Sequence, residues 1–228
     1  MKYMGSKRRI VGDILPIMLD KEHSTFVDAF CGGCNVITHV PTSYRRIAND
    51  KNKYLIAMWK MLQLGAEFPH KIDRDLYNLA RDCYHGKITS IPDADVGWIG
   101  FMASFNGRFF DGGYSGHHVI GSNGKARDYI AENIANVKND VPLCGGVEFH
   151  AGSYDELEIP DKSIVYCDIA YKNTKQYGDC RHFDYDKFYA WCIEMASKGH
   201  KVYVSEYQMP SEFRCVWEKE ITNSMHQT

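Results

Sequence analysis

The sequence predicts a doubly wound α/β fold, in which a mostly parallel sheet is covered by helices on both faces and a mostly helical segment is inserted. Short apolar runs alternate with segments of helical periodicity, and a glycine turn directly follows the first apolar run. The alternation stops between residues 65 and 145 and then resumes. Alternating strands and helices favour a parallel sheet that is buried on both sides. We therefore expect one main domain, residues 1–64 and 146–228, with an inserted subdomain over residues 65–145.

The N-terminal part of the chain contains a helix, two strands and a further helix. Apolar residues at helical spacing predict an amphipathic helix over about residues 7–19. The apolar run 25–30 leads into Gly32-Gly33 and is typical of a buried strand that opens a βαβ unit. A second strand is predicted over residues 46–49, ending at Asp50, and a helix face follows over residues 54–62.

The inserted segment contains a glycine-rich run at residues 105–114 and several polar loops. Beyond it the α/β pattern resumes. Strands are predicted at residues 147–150, 163–167 and 201–205, and a helix at residues 185–197 that Asp184 could cap. Residues 214–220 indicate one more strand.

Composition and charge fit a globular protein. The 228 residues are 44% hydrophobic, 25% charged and 13% aromatic, which is enough for one sizeable core. The amphipathic stretch that follows the basic N-terminus carries Asp13 and Pro16, so a signal peptide or membrane span is not expected there. We expect an intracellular protein. A net charge of -2 gives no overall attraction to nucleic acid, so any DNA binding must come from local basic patches.

Cysteines and histidines indicate no metal site. The eight cysteines are scattered, several in apolar runs, which favours reduced thiols. Cys31 and Cys34 have the spacing of a zinc or redox pair, but no second pair of ligands lies nearby, and packing around the glycine turn is the better interpretation. His117, His118 and His182 have no companion ligands at a suitable spacing and are expected on surface or DNA-facing loops.

Three polar sites fall at the carboxyl ends of predicted strands, the edge at which open α/β sheets bind ligands. They are the turn at residues 28–33, Asp50, and the loop at residues 168–171. Glycines let a ligand approach the backbone, and an acidic residue about 20 positions further on reaches ribose hydroxyls in dinucleotide-type folds. The pattern predicts an adenosine-containing ligand. The alternative is a structural turn, with Asp50 capping the helix that follows.

The turn does not have the GxGxxG spacing, which disfavours a nicotinamide-dependent dehydrogenase. Ordered motifs over nearly the whole chain instead resemble those of the D12-class DNA adenine-N6 methyltransferases related to Dam. Lys2-Tyr3-Met4-Gly5-Ser6-Lys7 is similar to the family's KYxGxK-type motif, and residues 26–33 (FVDAFCGG) to its FxDxFxGGG cofactor loop. Asp168-Ile169-Ala170-Tyr171 stands in the place of its DPPY tetrad. Phe105-Asn106-Gly107 and Gly113-Tyr114 resemble its target-recognition region.

The resemblance implies a Rossmann-like methyltransferase with S-adenosylmethionine as cofactor and duplex DNA as partner. Residues 1–64 and 146–228 would form the catalytic domain, and residues 65–145 the target-recognition subdomain. The implied reaction is methyl transfer to N6 of an adenine swung out of the duplex. Asp168 and the Ile169 carbonyl would accept hydrogen bonds from the amine, and Tyr171 would stack on the base.

The resemblance also implies which residues border the cofactor. Asp50 would take the ribose hydroxyls, and Ser153 would stand near the adenine of the cofactor. The cofactor-binding candidates are Tyr3, Lys7, Asp28, Phe30, Cys31, Gly32, Gly33, Asp50, Ser153, Tyr154 and Asp168. The catalytic candidates are the four residues Asp168, Ile169, Ala170 and Tyr171.

Candidate DNA contacts lie in the basic N-terminus and in the inserted segment. We expect an exposed Arg108 to contact a base or a phosphate, and Lys125 and Arg127 to contact phosphate. The aromatic side chains of the run 105–114 are more typical of a local core than of a stacking platform. The DNA-binding candidates are Lys7, Arg8, Asn106, Arg108, Tyr114, Lys125 and Arg127.

The chain departs from the family pattern in two places. Ile169 and Ala170 replace both prolines of the tetrad, so the loop gains freedom in φ and additional N–H groups. Because Asp168 and Tyr171 remain, an active or weakly active enzyme is the favoured interpretation. The sequence also stops where relatives continue into a last apolar strand. An open sheet edge there would favour dimerisation or lower stability, and we expect a monomer or weak dimer.

Three functions stay open on the sequence. The first is an adenine-N6 methyltransferase for duplex DNA, of phage, prophage or restriction-modification origin as the family suggests, acting in the cytoplasm of a bacterium or an infected host cell. The second is a catalytically impaired DNA- or cofactor-binding relative. The third is a methyltransferase for RNA or a small amine, since an Asp-x-x-Tyr loop suits other planar amines. Competition between duplex DNA, RNA and nucleosides separates the third from the first.

Overall fold

A computed structural model describes residues 1–120, 124–172 and 183–220 and confirms the α/β fold class. The strands are β1 (Thr25–Asp28), β2 (Arg45–Asp50), β3 (Val119–Ile120), β4 (Ala126–Arg127), β5 (Val147–Ala151), β6 (Ser163–Cys167) and β7 (Lys201–Val204). The helices are α1 (Val11–Met18), α2 (Lys53–Gln63), α3 (Arg74–Tyr84), α4 (Asp93–Ala103), α5 (Tyr129–Asp140) and α6 (Tyr185–Ser197). The predicted positions of β2, β5, β6, β7, α2 and α6 are thereby confirmed.

Five parallel strands form the main sheet in the order β5-β2-β1-β6-β7. From the central β1 the chain passes to β2 and β5 on one side, and later to β6 and β7 on the other. Strand order therefore reverses between β1 and β6, which is where open α/β sheets bind ligands. In register, Asp28 lies opposite Ala48 and Tyr166, so the carboxyl ends of these three strands are close together.

The sheet is buried on both faces because side chains alternate along each strand. On one face, Phe26 and Ile164 belong to the larger core cluster, which includes side chains of α1, α2 and α4. On the other face, Val27 and Val165 pack with the buried side chains of α6. Burial on both sides explains why these strands read as continuous apolar runs.

Two N-terminal elements are shorter than predicted. Helix α1 begins at Val11 and not near residue 7; residues 8–10 form a turn, and the amides of Ile10 and Val11 both donate to the Lys7 carbonyl at 2.9 Å. Lys7 as a whole residue is only 6% exposed. Strand β1 ends at Asp28 and not at residue 30, because the chain leaves the sheet there to form the glycine turn.

The segment 65–145 contains α3, α4, α5 and the short antiparallel pair β3–β4. Helix α4 lies so close to α2 that a Cβ at Gly97 would stand 2.1 Å from the Tyr54 carbonyl oxygen, and only glycine permits this approach. Trp98 and Ile130 belong to the same core cluster as α1 and α2. The division of the chain at residues 65 and 145 stays a prediction.

His117 has a structural role that the sequence did not indicate. Its Nδ1 lies 2.8 Å from a carboxylate oxygen of Asp128, the N-cap of α5, and its Nε2 accepts the Ile72 amide at 3.3 Å. His117 lies in a loop, as expected, but its side chain is only 22% exposed, whereas His118 is exposed. His182 and Cys180 lie outside the described residues.

The strand expected over residues 214–220 is wrong. Within the described residues that follow β7, from 205 to 220, the chain forms no strand. Trp217 packs against the larger core cluster, and the Lys219 ammonium lies 2.8 Å from the Asp13 carboxylate of α1, so side-chain contacts replace backbone pairing. Residues 221–228, where the sequence suggested a shortened sheet, lie outside the described part. None of the described helices is both long and apolar enough to span a membrane.

Candidate active site

A cleft of about 530 Å³ opens at the carboxyl edge of the sheet, where the strand order reverses. Its floor is formed by residues that directly follow or end β1, β2, β5 and β6. The segment 3–7, the turn 107–109 and the start of α6 provide its walls. The cleft brings together every predicted cofactor-binding residue: Tyr3, Lys7, Asp28, Phe30, Cys31, Gly32, Gly33, Asp50, Ser153, Tyr154 and Asp168.

The glycine turn is held between Asp50 and Tyr3. The Gly32 amide donates to an Asp50 carboxylate oxygen at 3.0 Å, and the Cys31 amide to the Asn49 carbonyl at 2.8 Å. Gly32 has φ +46°, and a Cβ there would lie 2.6 Å from the Tyr3 ring. Only glycine combines this backbone conformation with this close approach.

Asp50 does not cap the helix that follows it, contrary to the alternative interpretation of its position. The N-cap of α2 is Asn52, whose side chain accepts the amides of Tyr54 and Leu55. Asp50 accepts the Asn52 amide at 2.8 Å with one carboxylate oxygen and the Gly32 amide with the other. It therefore joins the glycine turn to the start of α2 while it lines the cleft.

Cys31 and Cys34 are buried free thiols beside the turn. Burial raises the pKa of both thiols, and the nearby carboxylates of Asp28 and Asp50 act in the same direction. A thiol with a raised pKa is a poor metal ligand and a slow nucleophile. Over residues 1–120, 124–172 and 183–220 no group of three or more His, Cys, Asp or Glu side chains could hold a metal ion.

Asp28 is an almost completely buried carboxylate at the floor of the cleft. Asp28 is 2% exposed, and its Oδ1 has no hydrogen-bond partner among the described residues. Burial raises the pKa of Asp28 well above the ordinary range, and the negative charges of Asp168 and Asp50 raise it further. Such a group is stabilised by a ligand that brings a positive charge or a hydrogen-bond donor.

Lys7 and Asp168 form an ion pair, with Lys7 Nζ 2.5 Å from Asp168 Oδ1. Their side chains are 7% and 21% exposed. Burial raises the pKa of Asp168, and the Lys7 ammonium opposes that rise. Burial also acts against the charge of Lys7, but Asp168 and Tyr171 outweigh it and raise the pKa of Lys7. Lys7 Nζ lies 4.9 Å from the centroid of the Tyr171 ring, so it links two residues of the tetrad.

Aromatic side chains form one wall of the cleft. Phe30 and Tyr154 lie 5.4 Å apart between ring centroids, and Phe183 lies 6.0 Å from each of them. Burial raises the pKa of Tyr154 to about 12, so its hydroxyl stays protonated. Ser153 is the N-cap of the short helical turn at residues 154–156, and its hydroxyl donates a hydrogen bond to Asp155 within that turn.

The structure separates the predicted DNA-binding residues into two groups. Lys7 and Arg108 line the cleft, and Arg108 is half-buried, contrary to the exposed position expected from the sequence. Asn106 is exposed beside Arg108, with φ +55°. Like Asn106, the other predicted residues do not line the cleft: Arg8, Tyr114, Lys125 and Arg127.

The contacts of Arg8, Arg127 and Tyr114 lie within the protein. Arg8 lies 3.1 Å from an Asp140 oxygen, and Arg127 lies 2.6 Å from a Glu132 oxygen. The Tyr114 hydroxyl donates to the Ile72 carbonyl at 2.7 Å. The aromatic run is partly core, as expected, because Phe110 is 9% exposed, although Phe105 is 45% exposed.

Tyr185, Glu206 and Tyr207 contact the tetrad loop and were not predicted. The Tyr185 hydroxyl donates to the Ala170 carbonyl at 2.7 Å, and the Tyr207 ring lies 4.5 Å from that of Tyr171. A signal for Glu206 was present in the sequence, because it follows the apolar run 201–205. The rule that selected the carboxylates after the other strands applies equally to it.

A parallel, doubly wound sheet with an acidic cleft at its switch point is consistent with a Rossmann-like methyltransferase fold. Residues 3–83 match the family model of the D12 class N6 adenine-specific DNA methyltransferases, the family that the motifs resemble. The matched segment includes the glycine turn and Asp50, and the tetrad loop lies beyond it. A search of curated proteins found no matching relative.

Proposed function

We propose that the chain is an S-adenosylmethionine-dependent methyltransferase that modifies N6 of an adenine swung out of duplex DNA. The observation that carries the proposal is that three carboxylates at the ends of strands and a buried ammonium line one cleft. These groups belong to Asp28, Asp50, Asp168 and Lys7. The family match over residues 3–83 supports the same reaction.

The cleft fits a positively charged, adenosine-containing methyl donor. S-adenosylmethionine carries an ammonium and a sulfonium and supplies an electrophilic methyl group when it is bound. A positive charge near the unpartnered Oδ1 of Asp28 would stabilise the ionised carboxylate. Asp50 would take the ribose hydroxyls, since it lines the cleft beside the glycine turn. Phe30 and Tyr154 would provide the apolar wall beside the adenine.

Asp168 and the Ile169 carbonyl would hold the target amine. The Ala170 carbonyl already accepts the Tyr185 hydroxyl, so the Ile169 carbonyl is the second acceptor in this proposal. Lys7 favours the ionised form of Asp168, which is the form that accepts hydrogen bonds from N6 with both oxygens. As N6 attacks, the bond from nitrogen to the methyl carbon forms and the bond from sulfur to carbon breaks. Asp168 is placed to take the proton that N6 loses.

The target base must leave the duplex, because the floor of the cleft cannot be reached by a stacked adenine. Tyr171 would stack on the extruded base. Among the basic residues of the inserted segment, Arg108 is best placed to contact the DNA because it lines the cleft. Lys125 and Asn106, both exposed, would lie further along the same DNA surface.

The test is transfer of labelled methyl groups from S-adenosylmethionine to mixed-sequence duplex DNA, with the product nucleoside identified by mass. Asp168→Asn keeps the size of the side chain and removes its charge, and we expect a loss of about a hundredfold or more in rate. Asp82→Asn, at an exposed ion pair with Lys87, is the matched control and should keep full activity.

Cofactor binding is measured separately by calorimetry on the same proteins. Binding of S-adenosylmethionine without transfer to DNA would contradict the enzymatic proposal and favour the catalytically impaired relative. Transfer to RNA or to free nucleosides in preference to duplex DNA would favour the third interpretation. Asp28→Asn should weaken cofactor binding, because it removes the carboxylate that lacks a partner.

A further inference from the structure

The tetrad loop, residues 168–172, lacks the two prolines that would restrict its backbone. A proline fixes φ near −65° and removes an N–H group, and Ile169 and Ala170 do neither. A displacement of about 1 Å in a catalytic group can lower the rate on the order of a hundredfold. A functional loop in this chain therefore needs another source of positional order.

Helix α6 provides the first contact to the loop. The Tyr185 hydroxyl donates to the Ala170 carbonyl at 2.7 Å. Tyr185 is the first residue of α6, and the N-cap Asp184 accepts the Lys187 amide at 3.0 Å, which fixes the start of the helix. Tyr185 also packs edge-on against Phe183, with ring centroids 5.0 Å apart. Its hydroxyl thus comes from a well-supported element.

The segment after β7 provides the second contact. A Glu206 carboxylate oxygen accepts the Lys172 amide at 2.8 Å. The preceding residue is tied to β6 twice, because the Ser205 amide donates to the Cys167 carbonyl at 3.0 Å and its hydroxyl lies 2.8 Å from that of Tyr166. Glu206 is consequently held beside the loop by the sheet itself.

Ile169 provides the third contact by its own burial. It is 4% exposed and belongs to the core cluster that includes Val165 and Phe188. The loop is thus anchored at three points: the Ile169 side chain in the core, the Ala170 carbonyl on Tyr185 and the Lys172 amide on Glu206. The three anchors lie on consecutive parts of a five-residue stretch and leave the Asp168 carboxylate facing Lys7.

We propose that Tyr185 and Glu206 are positioning residues, which hold the 168–172 loop in the geometry that prolines would otherwise impose. The inference rests on the proposed methyl transfer and deepens it. Glu206 acts through its oxygen as an acceptor and does not need its charge for this role. Its charge is unfavourable to Asp168, because it raises the pKa of that carboxyl.

The experiment compares kcat and KM for methyl transfer to duplex DNA with amide hydrogen exchange at residues 170–172. Tyr185→Phe and Glu206→Ala should each lower kcat about tenfold or more and change KM for the cofactor much less. Glu206→Gln retains an oxygen acceptor and should keep kcat within about twofold. Tyr189→Phe removes a hydroxyl from the same helix, at a ring that packs on Phe213, and serves as the matched control.

Restoring a proline tests the cause of the effect. Ala170→Pro keeps the carbonyl that Tyr185 contacts and restricts φ, so it should recover part of the kcat lost in Tyr185→Phe. Exchange at the Lys172 amide should accelerate in Glu206→Ala and stay slow in Glu206→Gln. These exchange rates test the inference even if the protein transfers no methyl group. An unchanged exchange rate at the Lys172 amide in Glu206→Ala would overturn the inference. In an active enzyme, an unchanged kcat in both Tyr185→Phe and Glu206→Ala would overturn it as well.

Discussion

Replacing Lys7 with methionine should shift the acid limb of the pH–rate profile to higher pH. The Lys7 ammonium, 2.5 Å from the Asp168 carboxylate, opposes the rise in pKa that burial imposes on Asp168. Without Lys7 the pKa of Asp168 rises further. A larger fraction of Asp168 is then protonated at any given acidic pH, and a protonated carboxyl cannot accept hydrogen bonds from N6 with both oxygens.

The same substitution should destabilise the protein in a pH-dependent way. Removing one partner of a buried ion pair costs about 3–5 kcal/mol, because the other charge is left unpaired. With a side chain 21% exposed, Asp168 can be protonated from the cleft, which limits the loss. Its folded-state pKa then lies above its unfolded value of about 3.9. The stability of the variant therefore falls as pH rises through that window, and its deficit against the original protein should be smallest in acid.

The assay measures initial transfer rates from about pH 5 to pH 9, with urea unfolding at both ends of the range. Lys53→Met is the control, since the Lys53–Asp93 pair is 2.9 Å long but its side chains are 60% and 47% exposed. An exposed pair of this kind is worth about 0–1 kcal/mol, and neither residue lines the cleft. An acid limb that does not move in Lys7→Met, together with a stability deficit independent of pH, would refute the reasoning.

Two further predictions concern the glycine turn and the sheet. Gly32→Ala should weaken cofactor binding about tenfold or more and lower the thermal midpoint, because a Cβ would lie 2.6 Å from the Tyr3 ring at a φ of +46°. Gly65→Ala is the control, because Gly65 has φ +82° and a Cβ there would have no atom within 4 Å. It isolates the cost of a left-handed backbone conformation to folding, about 1–2 kcal/mol. Equal effects of the two substitutions on cofactor binding would contradict the role of the Tyr3 ring. Burial lowers the pKa of His200, whose Nδ1 accepts the Ser163 amide at 3.2 Å. The free energy of unfolding should therefore decrease as pH falls below about 6.5, and a urea series in which His200→Asn shows the same slope would exclude this cause.

The sequence predicts the centre of the sheet well because β1 and β6 are buried on both faces. A parallel strand between two layers of helices has no solvent-facing positions. In β6, the four residues after Ser163 are accordingly all apolar or aromatic and only 0–2% exposed. Polar residues that interrupt such runs mark the strand ends. The positions of Asp28, Asp50 and Asp168 around one cleft follow from this pattern and from the parallel arrangement.

The failures of prediction come from contacts between residues distant in sequence. Residues 214–220 have the apolar content of a strand, yet Trp217 packs on the core and Lys219 pairs with Asp13, 206 positions earlier. His117 contacts the Ile72 amide, 45 positions away. No local pattern records such contacts, because each depends on how complete elements pack. The same reason explains why Tyr185 was not associated with the loop that it contacts.

The contacts of Asp28, Asp50 and Asp168 explain why these three carboxylates of the cleft should not be considered equivalent. Asp50 is satisfied by two backbone amides, and Asp168 by the Lys7 ammonium. Asp28 has one oxygen without a partner among the described residues, and the other two carboxylates raise its pKa further. An ionised Asp28 is therefore costly in the protein alone and becomes favourable when a positive charge enters the cleft. Binding of a cationic methyl donor should accordingly release a proton from Asp28, and the affinity should increase with pH until that carboxyl is ionised without the ligand. Calorimetry of S-adenosylmethionine binding in two buffers of different ionisation enthalpy would detect this proton release. If the Asp28→Asn variant still released a proton on binding, the proton would come from another group.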